Sequence, residues 1–132
     1  IIQDQGNLDK AIEAYNKAIT LNPNYAEACN NLGNALVDQS KLALGIEAYK
    51  RALELKPDYV EAFYNIGIAL QEQGKLEEAI EKFRKVLSIE PNHPQAYRNI
   101  GIIFIENYCW YICTISSFIK KPFVVVLFFI KI

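Results

Sequence analysis

The sequence predicts an all-α chain of stacked helical hairpins. Three observations predict it: an internal repeat, apolar stripes at helical spacing, and a proline closing each unit. Pro23, Pro57 and Pro91 keep one step, and Gly33, Gly67 and Gly101 keep the same one. So do Asn31, Asn65 and Asn99, and the apolar set Leu32, Ile66 and Ile100. Tyr15, Tyr49 and Phe83 form a further column, as do Ala18, Ala52 and Val86. The shared step is about 34 residues, the length of one helical hairpin. A hairpin of that size cannot bury its apolar face alone, so neighbouring units must stack.

Residues 1–25 read as the second part of one unit, with Ala11 as a small contact residue and Gly6 as its expected internal turn. Residues 26–59 form a whole unit. Cys29, Leu32 and Leu36 make one helical stripe, and Leu42, Ile46, Tyr49, Leu53 and Leu55 make the second. Residues 60–93 repeat the scheme, with Gly74 marking the turn that Ser40 marks in the unit before. Each helix should run to about 14 residues, roughly four turns. Gly33 and Gly67 fall mid-helix, where glycine costs about 1 kcal/mol relative to alanine. That position makes sense if a neighbouring helix packs against the bare backbone there. Gly45 and Ala79 supply a matching small residue on the second helix. Each proline ends a unit because it cannot continue a helix. Residues 94–107 read as the first helix of a further unit. Both ends therefore fall within repeats, the chain opens Ile1-Ile2-Gln3, and it contains no methionine. The expectation is a piece of a longer protein.

The pattern Asn31-Leu32-Gly33, Gly45, Tyr49, Ala52, Pro57 recurs as Asn65-Ile66-Gly67, Ala79, Phe83, Val86, Pro91. It resembles the tetratricopeptide repeat (TPR) family across residues 1–107. The resemblance implies a right-handed superhelix whose concave groove is lined by the first helix of each repeat. Carried onto this sequence, the groove takes Asn30, Asn31, Asn34, Val37 and Asp38 from one unit. The next supplies Glu61, Tyr64, Asn65, Ile68, Gln71 and Glu72. The last supplies Gln95, Arg98, Asn99, Ile102 and Glu106. Asn31, Asn65 and Asn99 look like the asparagine ladder of O-linked N-acetylglucosamine transferases and related bacterial TPR proteins. A side-chain amide offers donors and an acceptor, so such a ladder could hold a peptide backbone. The competing reading has these asparagines tying adjacent helices. The family's clamp for chaperone C-termini is a poor match. Asn34 and Asn65 fit its asparagines, but Asn30, Gln95 and Asn99 stand where it has cations, and a dicarboxylate then lacks charge-assisted bonds.

Residues 108–132 depart from the pattern. Ser117 and Lys120 occupy columns that should be aromatic and small, and Phe123–Ile130 is an uninterrupted apolar run. An irregular apolar tail is expected. It reads as a degenerate capping helix, a β-hairpin, a membrane anchor, or a non-native end. Lys120-Lys121-Pro122 divides it into pieces shorter than the roughly 20 residues a spanning helix needs. The run from Phe123 to Ile130 has the composition of an aggregation-prone strand.

Charge divides at the same place. The whole chain carries 14 Lys and Arg against 15 Asp and Glu, a formal net charge of −1. Every acid lies between Asp4 and Glu106, so the repeat region is acidic and the tail basic. The 52% hydrophobic content is likewise inflated by the tail. Neutrality overall removes an electrostatic case for nucleic acid. Three cysteines, with Cys109 and Cys113 spaced C-x3-C and His93 distant, suit neither a disulfide scaffold nor a zinc site. Cys29 should be a small core residue. The N-terminus reads as the end of a polar helix, not a secretory leader, and a cytoplasmic location is expected.

No phosphate loop, nucleophile elbow or metalloprotease motif is present. Glu77, Glu78 and Glu81 favour the start of a helix through its dipole. His93 sits between Pro91 and Pro94 as a turn residue. The sequence therefore predicts a non-enzymatic protein–protein interaction scaffold, with no cofactor and no metal, gripping an extended peptide or partner helix. Asn30, Asn31, Asn34, Glu61, Tyr64, Asn65, Ile68, Arg98 and Asn99 are its candidate contacts. The alternatives are a TPR targeting arm of a glycosyltransferase whose catalytic domain lies elsewhere, and an adaptor tethered to a membrane by the tail.

Overall fold

The computed structural model describes residues 2–119, with side chains from residue 5 to residue 114. Six helices follow one another: α1 (Ile2–Leu21), α2 (Ala26–Asp38), α3 (Leu42–Leu55), α4 (Val60–Glu72), α5 (Leu76–Ile89) and α6 (Pro94–Ile119). The two whole hairpins, α2–α3 and α4–α5, pair helices of 13 and 14 residues. Each helix packs on the next, and α2 also touches α4, so the first helices lie side by side.

Local chemistry sets the boundaries. α3 and α5 stop two residues before Pro57 and Pro91, and the intervening Lys56 and Glu90 are extended (φ −137°, ψ 91° and φ −120°, ψ 90°). A residue before proline is driven out of the helical region by the ring. The turns inside the hairpins use a left-handed residue, Ser40 (φ 63°) and Gly74 (φ 77°). Around each, a backbone amide reaches back across the helix end: Lys41 N–H to Leu36 O and Lys75 N–H to Leu70 O, both 2.9 Å. These bonds satisfy carbonyls that the helix end leaves free.

The next residue in that turn column is Tyr108, an aromatic side chain that pays a steric cost in the left-handed region. No turn forms there. α6 runs unbroken for 26 residues through Asn107, where the sequence reading placed a boundary. Residues 120–132, including the Phe123–Ile130 run, lie outside the described residues. Among the described residues no helix is long and apolar enough to cross a membrane. The turn expected at Gly6 is also absent: Gly6 lies inside α1, and among the described residues nothing comes within 4 Å of where its side chain would be.

The core follows the columns. One cluster joins Ile46, Tyr49, Ile66, Ala69, Leu70, Ala79, Phe83, Val86, Ala96 and Ile103. A second joins Ile19, Ala28, Cys29, Ala52 and Ala62. The glycine columns are close-approach sites. A methyl on Gly67 would meet the Phe83 ring at 2.6 Å, one on Gly45 would meet Val37 Cγ2 at 2.6 Å, and one on Gly33 would collide with the Tyr49 ring.

Candidate peptide-binding groove

The inner face is built from α2, α4 and α6, and side chains tie these helices directly. Asn30 is fully buried, and its Nδ2 donates to Glu61 Oε1 at 3.0 Å. Asn65 Nδ2 donates to both Asn30 Oδ1 and Asn34 Oδ1, each at 3.2 Å. The Tyr49 hydroxyl completes the set by donating to Asn34 Oδ1 at 2.8 Å. Five polar side chains from three helices thus form one network between the two whole hairpins.

The network repeats one unit later in altered chemistry. Asn99 Nδ2 donates to the Tyr64 hydroxyl at 3.3 Å. Tyr64 occupies the position of Asn30, so Asn65 and Asn99 make the same reach back to the preceding first helix. The Tyr64 ring rests 5.6 Å from that of Phe83 and 5.2 Å from that of His93. His93 Nδ1 accepts from Ala96 N–H at 3.2 Å, so the histidine expected in the turn caps the start of α6.

The candidate residues therefore divide. Asn30 was read as a groove contact, but burial and its bonds to Glu61 and Asn65 make it an internal tie. Both Asn65 N–H groups are engaged, leaving its Oδ1 as an acceptor. Asn99 is 9% exposed with one N–H engaged. Asn31, the first member of the column, is half-buried and has no side-chain hydrogen bond among the described residues. Asn34 and Tyr64 are half-buried, and Ile68 packs at the edge of the core beside Phe83's cluster. Arg98 and Gln95 are exposed on α6.

The sequence reading missed the Tyr49 hydroxyl. Its signal lay in paired columns: Tyr49 faces Asn34, whereas the next unit has Phe83 with Ile68. A polar pair is replaced by an apolar pair, which leaves no unpaired hydroxyl. Burial, reinforced by the carboxylates of Asp38, Glu61 and Glu72, holds the Tyr49 phenol protonated far above its ordinary range.

The surface charge of these first helices is lopsided. Glu27, Asp38, Glu61, Glu72 and Glu106 are exposed along α2, α4 and α6, against the single cation Arg98. Asp38, Glu72 and Glu106 occupy one column, so carboxylates line one edge at the repeat spacing.

Comparisons with known proteins agree with this architecture. The model described as "TPR repeat" matches residues 3–40 and 33–74, and that described as "Tetratricopeptide repeat" matches residues 60–93. The crystal structure of MamA is 32% identical with a TM-score of 0.73, covering 80% of this chain and 61% of that one. The first TPR of Spaghetti (RPAP3), bound to the HSP90 peptide SRMEEVD, is 28% identical with a TM-score of 0.74, covering 80% and 83%. The second TPR domain of human RPAP3, in complex with the HSP70 peptide SGPTIEEVD, is 30% identical with a TM-score of 0.70, covering 76% and 83%. The chain thus spans about three-fifths of MamA's length. A comparison with curated protein sequences gives no match. Repeat period, hairpin geometry and these likenesses agree, and the chain belongs to the tetratricopeptide repeat family.

Proposed function

We propose that this chain is an interaction scaffold that binds an extended, cationic peptide along the face formed by α2, α4 and α6. The observation that carries the reading is the excess of carboxylates on that face. An acidic peptide such as those bound by the RPAP3 domains needs cations to form strong bonds. Here Asn30 is buried in a tie between helices, and Gln95 and Asn99 are uncharged. A peptide bearing Lys or Arg instead meets Asp38, Glu72 and Glu106 at regular intervals.

The remaining groups divide the work of recognition. Asn31 offers an amide, and Asn65 Oδ1 accepts a peptide N–H. Tyr64 and Ile68 supply an apolar surface, and Arg98 sets charge preference at the α6 end. Fluorescence anisotropy of the chain with labelled peptide libraries tests this. Lys/Arg-bearing extended peptides should bind, with affinity falling as salt rises, and Asn31→Ala should weaken them several-fold. Equal or tighter binding of acidic C-terminal peptides would refute the charge argument.

A further inference from the structure

A cleft of about 310 Å³ lies where α3, α4 and α5 meet, and all of its lining belongs to the two whole hairpins. Ile46, Ile66 and Leu70 form its apolar floor. Lys50, Lys75 and Lys82 outnumber Glu47 and Glu78 among its charged groups. Lys50 and Lys75 make no ion pair among the described residues, and Lys82 makes only a long one, 4.0 Å from Glu81.

The neighbouring units carry an acid that this cleft lacks. Gln39 follows the end of α2, and its Nε2 donates to Asp9 Oδ1 at 2.6 Å. Gln73 stands in the same column after α4, but the counterpart of Asp9 is Ala43, which lines the cleft with it. Gln39 Oε1 and Gln73 Oε1 are both buried with no hydrogen-bond partner among the described residues, so both amides turn the nitrogen outward. Gln39 Nε2 meets a carboxylate there, whereas Gln73 Nε2 meets a methyl group and open space. No side-chain hydrogen bond joins Gln73 to any described residue. One unit further on the acid returns: Glu77 and Asn107 occupy these two columns and line one cleft together.

We propose that this cleft binds a short aliphatic carboxylate. The carboxylate takes the place that Asp9 fills one unit earlier. One oxygen accepts from Gln73 Nε2, and the charge meets Lys50 and Lys75 in charge-assisted bonds. The alkyl chain lies over Ala43, Ile46 and Leu70, shielded from water by the methylene stems of the lysines. The volume falls at the lower end of the roughly 300–1,000 Å³ of small-molecule sites, which suits a chain of a few carbons and not a long acyl tail. The charge preference is opposite to that of the inner face, so the two sites take different ligands.

Titration of the 132-residue chain with sodium hexanoate, followed by proton–nitrogen NMR correlation spectra at fixed pH and ionic strength, tests this. Shifts should saturate in the millimolar range, since so small a ligand makes few contacts. They should centre on Ala43, Lys75 and the Gln73 side-chain amide. Hexanol, which lacks the charge, and acetate, which lacks the chain, should each bind at least tenfold more weakly. Ala43→Asp restores the acid that Gln39 has, in the first turn of α3 where the helix dipole favours a carboxylate. It should fold and lose at least tenfold in hexanoate affinity. Lys75→Gln should lower that affinity several-fold and leave the rest of the spectrum unchanged. Hexanoate that gives no saturable shifts at the cleft overturns the proposal. So does hexanol that binds as well as hexanoate, and so does an Ala43→Asp chain that binds hexanoate like the parent.

Discussion

Gly67→Ala perturbs the packing that joins the two helices of one hairpin. The added methyl would lie 2.6, 2.9 and 3.0 Å from three atoms of the Phe83 ring. Carbon atoms prefer about 3.5–4.0 Å, so the ring must retreat by roughly 1 Å. It has no room to do so: Phe83 is 0% exposed, within a cluster that includes Ile66, Ala79, Val86 and Ile103. Overpacking of this kind costs about 2–3 kcal/mol. Replacing glycine in a helix interior returns about 1 kcal/mol. The net loss should be about 1–2 kcal/mol. Gly101→Ala makes the same chemical change at the same repeat position with nothing in the way among the described residues, so it should be stabilising by up to about 1 kcal/mol. Urea unfolding followed by circular dichroism at 222 nm measures both. A Gly67→Ala chain as stable as the parent would refute the close-approach argument, and so would equal losses at the two sites.

Other substitutions test the turns, the ties and the core. Ser40→Gly should stabilise by about 1 kcal/mol, because Ser40 holds a positive φ that costs a side-chain-bearing residue about that much; thermal denaturation reads the gain. Asn30→Ala should destabilise by about 1–3 kcal/mol, since Asn65 and Glu61 lose a buried partner. Asn31→Ala should change stability little while weakening peptide binding, and a large loss of folding free energy would place it among the ties instead. Burial pushes the Cys29 thiol above its ordinary range, with Arg51 opposing weakly, so a disulfide reagent at neutral pH should modify the exposed Cys109 and Cys113 and spare Cys29 until denaturant is added.

Much of the hairpin architecture was legible because it is local and repeated. Pro57 and Pro91 end helices through the clash of a ring with the residue before it, and that needs no knowledge of the rest of the fold. The glycine column was readable as a close approach between helices, but that the Tyr49 and Phe83 rings are what lie on Gly33 and Gly67 is visible only in the folded molecule. Two places resisted. α6 runs through Tyr108, the position where Ser40 and Gly74 turn the chain in the earlier units, and the turn's left-handed backbone is visible only in the folded molecule. Gly6 keeps the right residue for a turn, yet it sits in a helix, since glycine permits a turn without imposing one.

The asparagines show where sequence alone stops. Period and residue type placed Asn31, Asn65 and Asn99 at equivalent sites on three first helices, and left open whether they hold a ligand or one another. The packing of those helices shows which of these amides are tied to neighbouring helices. Asn65 donates to Asn30 and Asn34, and Asn99 to Tyr64, whereas Asn31 makes no side-chain hydrogen bond among the described residues. Sequence determined the hairpins, their order and the faces they bury, because helix periodicity and turn chemistry act over a few residues. Which amides are tied between helices was decided by tertiary structure, because a hydrogen bond across about 35 residues exists only once the helices stand side by side.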